Sequence, residues 1–285
     1  MLLVLQSNIL LTMAEQNRQK LNRLLAELGD ADFVSARWLR SHGYSTALVA
    51  GYVKNGWLRS PARGVYMAAA GVATWEGALH SLQQRERLRL HAGARFALAL
   101  YGHEHYLRMQ GVREVTLYGP DRLPGWATTL ALDVRFVHGG LGPFPPAGLT
   151  LSANTSDEEL HAEGLERLVV SSTTDWVVVA NAERAMLELC HAARDAADVH
   201  EAHATLQGMS GLRPSEVNAL LRRCQSIKAK RLFLALADRA NHAWLEHLDM
   251  EGVDLGRGKR ALFPGGRLDP RYQITLPADL ESSLG

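Results

Sequence analysis

The stretch STALVAGYVKNGWLRSPARGVYM, residues 45–67, constrains the fold more than any other part of this 285-residue chain. Ser45 suits the cap of a helix in which Leu48, Val49, Tyr52 and Val53 fall on one face at helical spacing. Thr46, Ala47, Ala50 and Lys54 fall on the other. Asn55-Gly56 ends that helix. WLRS and RGVYM then read as two short strands around Ser60-Pro61-Ala62, with Arg59 and Arg63 beside the turn and Gly64 relaxing it. Upstream, SARWLRSHG reads as another short helix, capped by Ser35 and stopped by a left-handed Gly43. Two short helices across a tight glycine turn, followed by a basic hairpin, form a winged helix-turn-helix pattern.

A helix that enters a DNA major groove must bring its backbone close to base edges, and large apolar residues on its outer face would block the approach. The small outer face of residues 46–54 meets that need, while arginines on a hairpin reach phosphate or the minor groove. The expected DNA contacts are Ser45, Thr46, Ala47, Ala50, Lys54, Arg59 and Arg63. A winged unit can also serve as a protein-protein adaptor; the basic balance and the uncluttered face favour DNA.

The formal net charge of +1 conceals a division along the chain. Residues 1–67 hold 8 Lys and Arg against 4 Asp and Glu, residues 68–221 hold 12 against 18, and residues 222–285 hold 11 against 8. Two basic ends flank an acidic middle, as in a polyanion-binding part joined to a part with another task. Lys228, Lys230, Arg231, Arg257, Lys259, Arg260, Arg267 and Arg271 are candidates for a second polyanion surface, or else they balance the acidic middle.

The opening MLLVLQSNILLTM has no basic lead or cleavage pattern, so residues 1–12 read as a dispensable extension before a helix from Ala14 to about Leu28. No apolar run is long enough to cross a bilayer. Cys190 and Cys224 match no metal or redox spacing, which predicts core residues in a cytoplasmic protein. The expected division is a winged helix-turn-helix domain over 13–70, a connecting helix over 71–90 and a larger α+β domain over 91–285. In the last, GARFALALYG reads as a helix, EVTLYG, VRFVHG and LERLVVSS as strands, and residues 139–148 as a connecting loop. Amphipathic helices fill 181–240, with a break near Ser226-Ile227, and KRALF and RYQITLP read as strands flanking a PGGRLDP turn.

Catalytic signals are weak. His103 and His105 would share a face of a strand, but they follow a helical segment without a third ligand nearby. VVSSTTDW lacks the Gly-x-Ser-x-Gly turn of a serine nucleophile. The carboxylates of SDEEL and GLERL resemble helix-start and surface charges rather than an acid-base pair. Neither a catalytic residue nor a metal or other cofactor is expected, and the chain does not read as an enzyme.

LVAGYVKNGWLRSPARGVYM, WEGALHSLQ, CQSIKAKRLFLALADRANHAWLEHLD and GGRLDPRYQITLP, in that order, resemble the AbiEi family of antitoxins and transcriptional regulators from bacterial type IV toxin-antitoxin (abortive phage infection) systems. The resemblance spans about residues 14–277. It implies a winged N-terminal domain that binds inverted repeats in its own promoter and represses transcription, and a larger domain that counteracts a nucleotidyltransferase-like toxin. Direct contact with the toxin and oligomerisation on DNA stay open. In that family a basic residue often stands where this chain has Gly51, so no contact carries over to that position. The alternative is a winged-helix regulator with a ligand-sensing C-terminal domain, and behind it a DNA-acting nuclease.

Overall fold

Leu21, Leu24, Leu25 and Leu28 give the first helix an apolar stripe, and it packs on a three-stranded sheet and two short helices. The computed structural model describes residues 2–103, 113–169 and 176–280. It separates into two units. The first comprises Met1–Arg87, Leu123–Asp133 and Leu168–Val177; the second comprises Leu88–Arg122, Val134–Arg167 and Val178–Gly285.

The first unit runs α1 (Leu2–Glu27), β1 (Val34–Ser35), α2 (Ala36–Ser41), α3 (Thr46–Lys54), β2 (Leu58–Ala62), β3 (Val65–Ala68) and α4 (Trp75–Gln84). Helix α1 is continuous from Leu2, so Ala14 is not a helix boundary. The sheet is antiparallel in the order β1-β3-β2. The turn of the hairpin is not Ser60-Pro61-Ala62, which belongs to β2, but Arg63-Gly64, where Gly64 takes φ +78°. Register shifts between Arg59 and Ala62. Ser60 Oγ donates to the carbonyls of Ala62 and Val65 across this irregularity, and Pro61 sits where no ladder donor is needed.

The segment expected as a connector is a packed part of the first unit. Ala78, Leu79 and Leu82 of α4 are fully buried, Ser81 Oγ accepts from Phe33 N at 2.8 Å, and Gly77 lies so close to Ala31 that a Cβ there would sit 2.0 Å from its carbonyl oxygen. Two later segments complete the unit: Trp126 stacks on Phe33 at 6.0 Å, and Trp176 accepts a hydrogen bond from His80 Nδ1 at 2.8 Å.

The second unit contains β4 (His91–Ala92), α5 (Ala94–Leu100) and β5 (Arg113–Tyr118). After α6 (Gly125–Thr129), which carries Trp126 in the first unit, come β6 (Val134–His138), α7 (Asp157–Ala162), β7 (Leu165–Leu168) and β8 (Val177–Ala180). Helices α8 (Ala182–Ala192), α9 (Ala196–Gln207), α10 (Pro214–Arg223) and α11 (Ile227–Ala240) follow, then the hairpin β9 (Arg267–Asp269) and β10 (Ile274–Leu276). The sheet order is β6-β5-β4-β8-β7; β5 pairs in parallel with β6 and β4 with β8, while β4 and β5 are antiparallel. This is an α+β fold with the expected helix break at Ser226, which caps α11. KRALF is not a strand and makes a single bridge at Arg260, whereas β9 lies inside the expected PGGRLDP turn. The reversal occurs one step later, where Asp269 Oδ1 accepts from the backbone amides of Arg271 and Tyr272.

A charged network holds the centre of this unit. Glu188, with no exposed surface, accepts from Arg184 Nε at 2.8 Å, from His91 Nε2 at 2.9 Å and from the Ala94 amide at 3.0 Å. Burial and the nearby Arg184 hold His91 below its ordinary pKa, so its imidazole is neutral. The Arg184 guanidinium also lies 4.4 Å from the Phe144 ring centroid. Arg184→Met leaves Glu188 buried without its cation, an expected cost of about 3–5 kcal/mol. Calorimetry of the full chain should show one unfolding transition displaced downward by roughly 6–20 °C.

Candidate nucleic-acid interface

The helix-turn-helix is set by local capping and by hydroxyls that reach α1. Ser35 Oγ accepts from Trp38 N at the start of α2, and Ser45 Oγ accepts from Leu48 N at the start of α3. Gly43, at φ +81°, makes the turn between them, and Lys20 Nζ donates to its carbonyl at 3.0 Å. Tyr44 OH donates to Lys20 O at 3.3 Å and Tyr52 OH to Asn17 O at 2.8 Å, so α1 holds the turn and the outer helix α3. Burial raises both phenols above their ordinary pKa and keeps them protonated donors.

With Val49 and Tyr52 buried, α3 turns Thr46, Ala47, Ala50 and Lys54 outward, together with the cap Ser45. A Cβ on Gly51 would meet nothing within 4 Å, so the middle of this face is open. Arg63 is exposed at the hairpin turn. Lys54 and Arg63 make no ion pair among the described residues. Arg59 differs: it is half-buried, opposite Met67 in the β2–β3 ladder, and its Nη2 donates to Gly71 O at 3.0 Å. The structure therefore brings six of the seven expected contacts to exposed positions on α3 and the hairpin turn, and ties the seventh to backbone.

Two exposed cations that pattern reading passed over, Arg37 and Arg40, lie on α2. Their signal was the SARWLRS segment itself, because the first helix of such a motif crosses the DNA backbone. Arg85 supports that helix from behind: it pairs with Asp32, donates to Glu27 O at 2.5 Å, and lies 5.8 Å from the Trp38 ring, which stacks on His42.

The second group of basic candidates does not assemble on one surface. Lys230 and Arg231 are each 3% exposed. Arg231 donates to the carbonyls of Leu255, Gly258 and Gln273, pinning the loop after α11. Lys228 Nζ is spent on Ala193 O at 2.8 Å, and Arg271 pairs with Asp238 at 2.6 Å. Arg267 is exposed, as are Arg257, Lys259 and Arg260.

The remaining polar candidates have structural surroundings. Ser156 and Glu159 form a reciprocal capping box on α7, and Glu166 accepts from Tyr101 OH at 2.6 Å. Cys190 and Cys224 are buried, and burial raises both thiols. His103 is half-buried, which lowers its pKa; His105 and residues 170–175 of VVSSTTDW lie outside the described residues. No described helix is long and apolar enough to cross a membrane.

A family model described as transcriptional regulator, AbiEi antitoxin N-terminal domain, matches residues 17–109. A second, described as transcriptional regulator, AbiEi antitoxin, type IV TA system, matches residues 112–277. The chain belongs to the AbiEi antitoxin family. A search of curated proteins returned no match to the sequence. Among solved structures, the crystal structure of RV2827C protein from Mycobacterium tuberculosis is similar, with a TM-score of 0.52 at 13% identity, covering 90% of this chain and 89% of that one. At that identity the likeness is one of fold. The AbiEi descriptions name a regulator and antitoxin and no catalytic activity.

The geometry of Arg59 in this AbiEi chain leads to a stability test. Arg59→Ala removes the hydrogen bond to Gly71 and should cost about 1 kcal/mol. Thermal melts of the variant should fall by a few degrees, and an unchanged melting temperature would free Arg59 from this structural role.

Proposed function

We propose that this AbiEi-family protein binds its own promoter through α3 and the β2–β3 wing, represses the operon, and counteracts a nucleotidyltransferase-like toxin through its second unit. The observation that carries the DNA reading is the outward face of Ser45, Thr46, Ala47 and Ala50, flanked by exposed Lys54 and Arg63 within a winged topology. Small residues admit the α3 backbone to base edges, and the two cations meet phosphate. Arg37 and Arg40 on α2 add phosphate contacts from the helix that crosses the backbone. The antitoxin role rests on membership of the family and on the resemblance that names the toxin class.

The division of labour is best tested in the full chain. A fragment ending near residue 90 would strip Trp126 from Phe33 and Trp176 from His80, so its failure would report lost packing. Fluorescence anisotropy with the upstream promoter DNA, titrated over salt, should show sequence-selective binding. Lys54→Ala and Arg63→Ala should each weaken binding to every sequence and reduce the salt slope by about one unit. Ala50→Glu should abolish selective binding by placing a carboxylate in the groove. The same variants, co-expressed with the proposed nucleotidyltransferase-like toxin, should retain rescue of growth. A slope unchanged in both cation variants would remove the DNA assignment, and loss of rescue in well-folded variants would place antitoxicity on the first unit.

A further inference from the structure

An open cleft of about 500 Å³ lies over the β5–β6 half of the second unit's sheet, between the C-terminal end of α8 and the start of α5. Strand alternation brings Glu114, Thr116 and Tyr118 of β5 to one face of the sheet, and all three line the cleft. Its volume falls within the range of small-molecule sites.

Most charged groups around the cleft are already paired. Arg95 forms a forked pair with Glu201 and Glu114 accepts from Arg135 at 2.7 Å, while Arg194 is 85% exposed and only approaches Asp198, at 3.6 Å. The other polar groups are neutral. Tyr118 is only 3% exposed, yet its hydroxyl makes no hydrogen bond among the described residues. Burial raises its pKa well above the ordinary phenol value, so the group stays protonated as donor and acceptor. Its ring is held on both edges by glycines: a Cβ on Gly93 would come within 2.8 Å of Cδ2, one on Gly139 within 2.6 Å of Cε1, and one on Gly142 within 2.9 Å of Cδ1. Any side chain at these three positions would displace the ring.

His191, also in the lining, is kept neutral by burial. Ser226 Oγ lies 2.9 Å from its Nδ1 and accepts from Ala229 N. Tyr118 and His191 supply neutral hydrogen-bonding groups, with the Thr116 hydroxyl between the strand's two other cleft residues.

We infer that this cleft binds a neutral, hydrogen-bonding small molecule of nucleoside size, with the Tyr118 hydroxyl as its anchor. A hydroxyl held in a rigid, glycine-lined seat can bond such a molecule as it enters, and of the two lining cations Arg95 is paired and Arg194 is solvent-exposed, so neither offers a phosphate a buried partner. The site is independent of the helix-turn-helix and stands or falls apart from the DNA reading.

Isothermal titration calorimetry of the full chain with adenosine, guanosine, cytidine and uridine is the test, with the 5′-monophosphates as a second series. The expected result is one-to-one binding of at least one nucleoside at sub-millimolar concentration, with the matching monophosphate no tighter. Tyr118→Phe, which keeps the ring, should reduce that affinity about five- to tenfold; Thr116→Val provides a second variant if the first melts early. Absence of binding by all four nucleosides, tighter binding of a monophosphate, or full affinity in both variants would overturn the inference.

Discussion

Glu188 is a carboxylate with no exposed surface, and the second unit is arranged to keep it charged. Burial alone would drive its pKa up; His91 and Arg184 outweigh that and hold it below the ordinary glutamate value. The consequences spread outward through the backbone. Gly93 must lack a side chain, because a Cβ would lie 2.0 Å from Glu188 Oε2, and Ala94 turns to φ +46° while its amide donates to the same carboxylate. One ion therefore joins β4, the start of α5 and α8. Gly93 in turn leaves the space on one edge of the Tyr118 ring. The seat of the cleft is a product of how the core satisfies a buried charge.

The first unit uses smaller interactions to a more local end. Two tyrosine hydroxyls and one lysine connect α1 to the turn and the outer helix, and Arg85 holds the other side of α2. Each bond is worth about 1 kcal/mol, so none dominates. Together they hold the turn and α3 against α1.

The helix-turn-helix was legible because its information is local. Caps at Ser35 and Ser45, the glycine turn at 43 and the 3.6-residue spacing of Leu48, Val49, Tyr52 and Val53 act within a few residues of one another. The hairpin turn was misplaced by the strong turn chemistry of Ser60-Pro61, which here marks an irregular strand instead. The two-residue strands β1 and β4 carry too little periodicity to read, and the contribution of Trp126 and Trp176 to the first unit depends on contacts far along the chain. In the cleft, β5 was readable as a strand from EVTLYG. That Tyr118 sits among Gly93, Gly139 and Gly142 was not, because three separate segments must fold before the glycines meet.

Charge counting shows the same limit more sharply. The surplus of cations after residue 222 suggested a polyanion surface, but a count treats every lysine and arginine as solvated. Transfer of an unpaired cation into the interior is costly, so a buried one must find acceptors. Arg231 does so by gathering three carbonyls, and the half-buried Lys228 reaches one at the end of α8. These residues organise the polypeptide around them. The cations left outside, Arg257, Lys259, Arg260 and Arg267, belong to the loop and hairpin that follow α11, and the loop's shape depends on the buried Arg231 beneath it. Similar residues within one basic region thus divide between scaffold and surface, and the division follows from where carbonyl oxygens lack partners rather than from the charge itself.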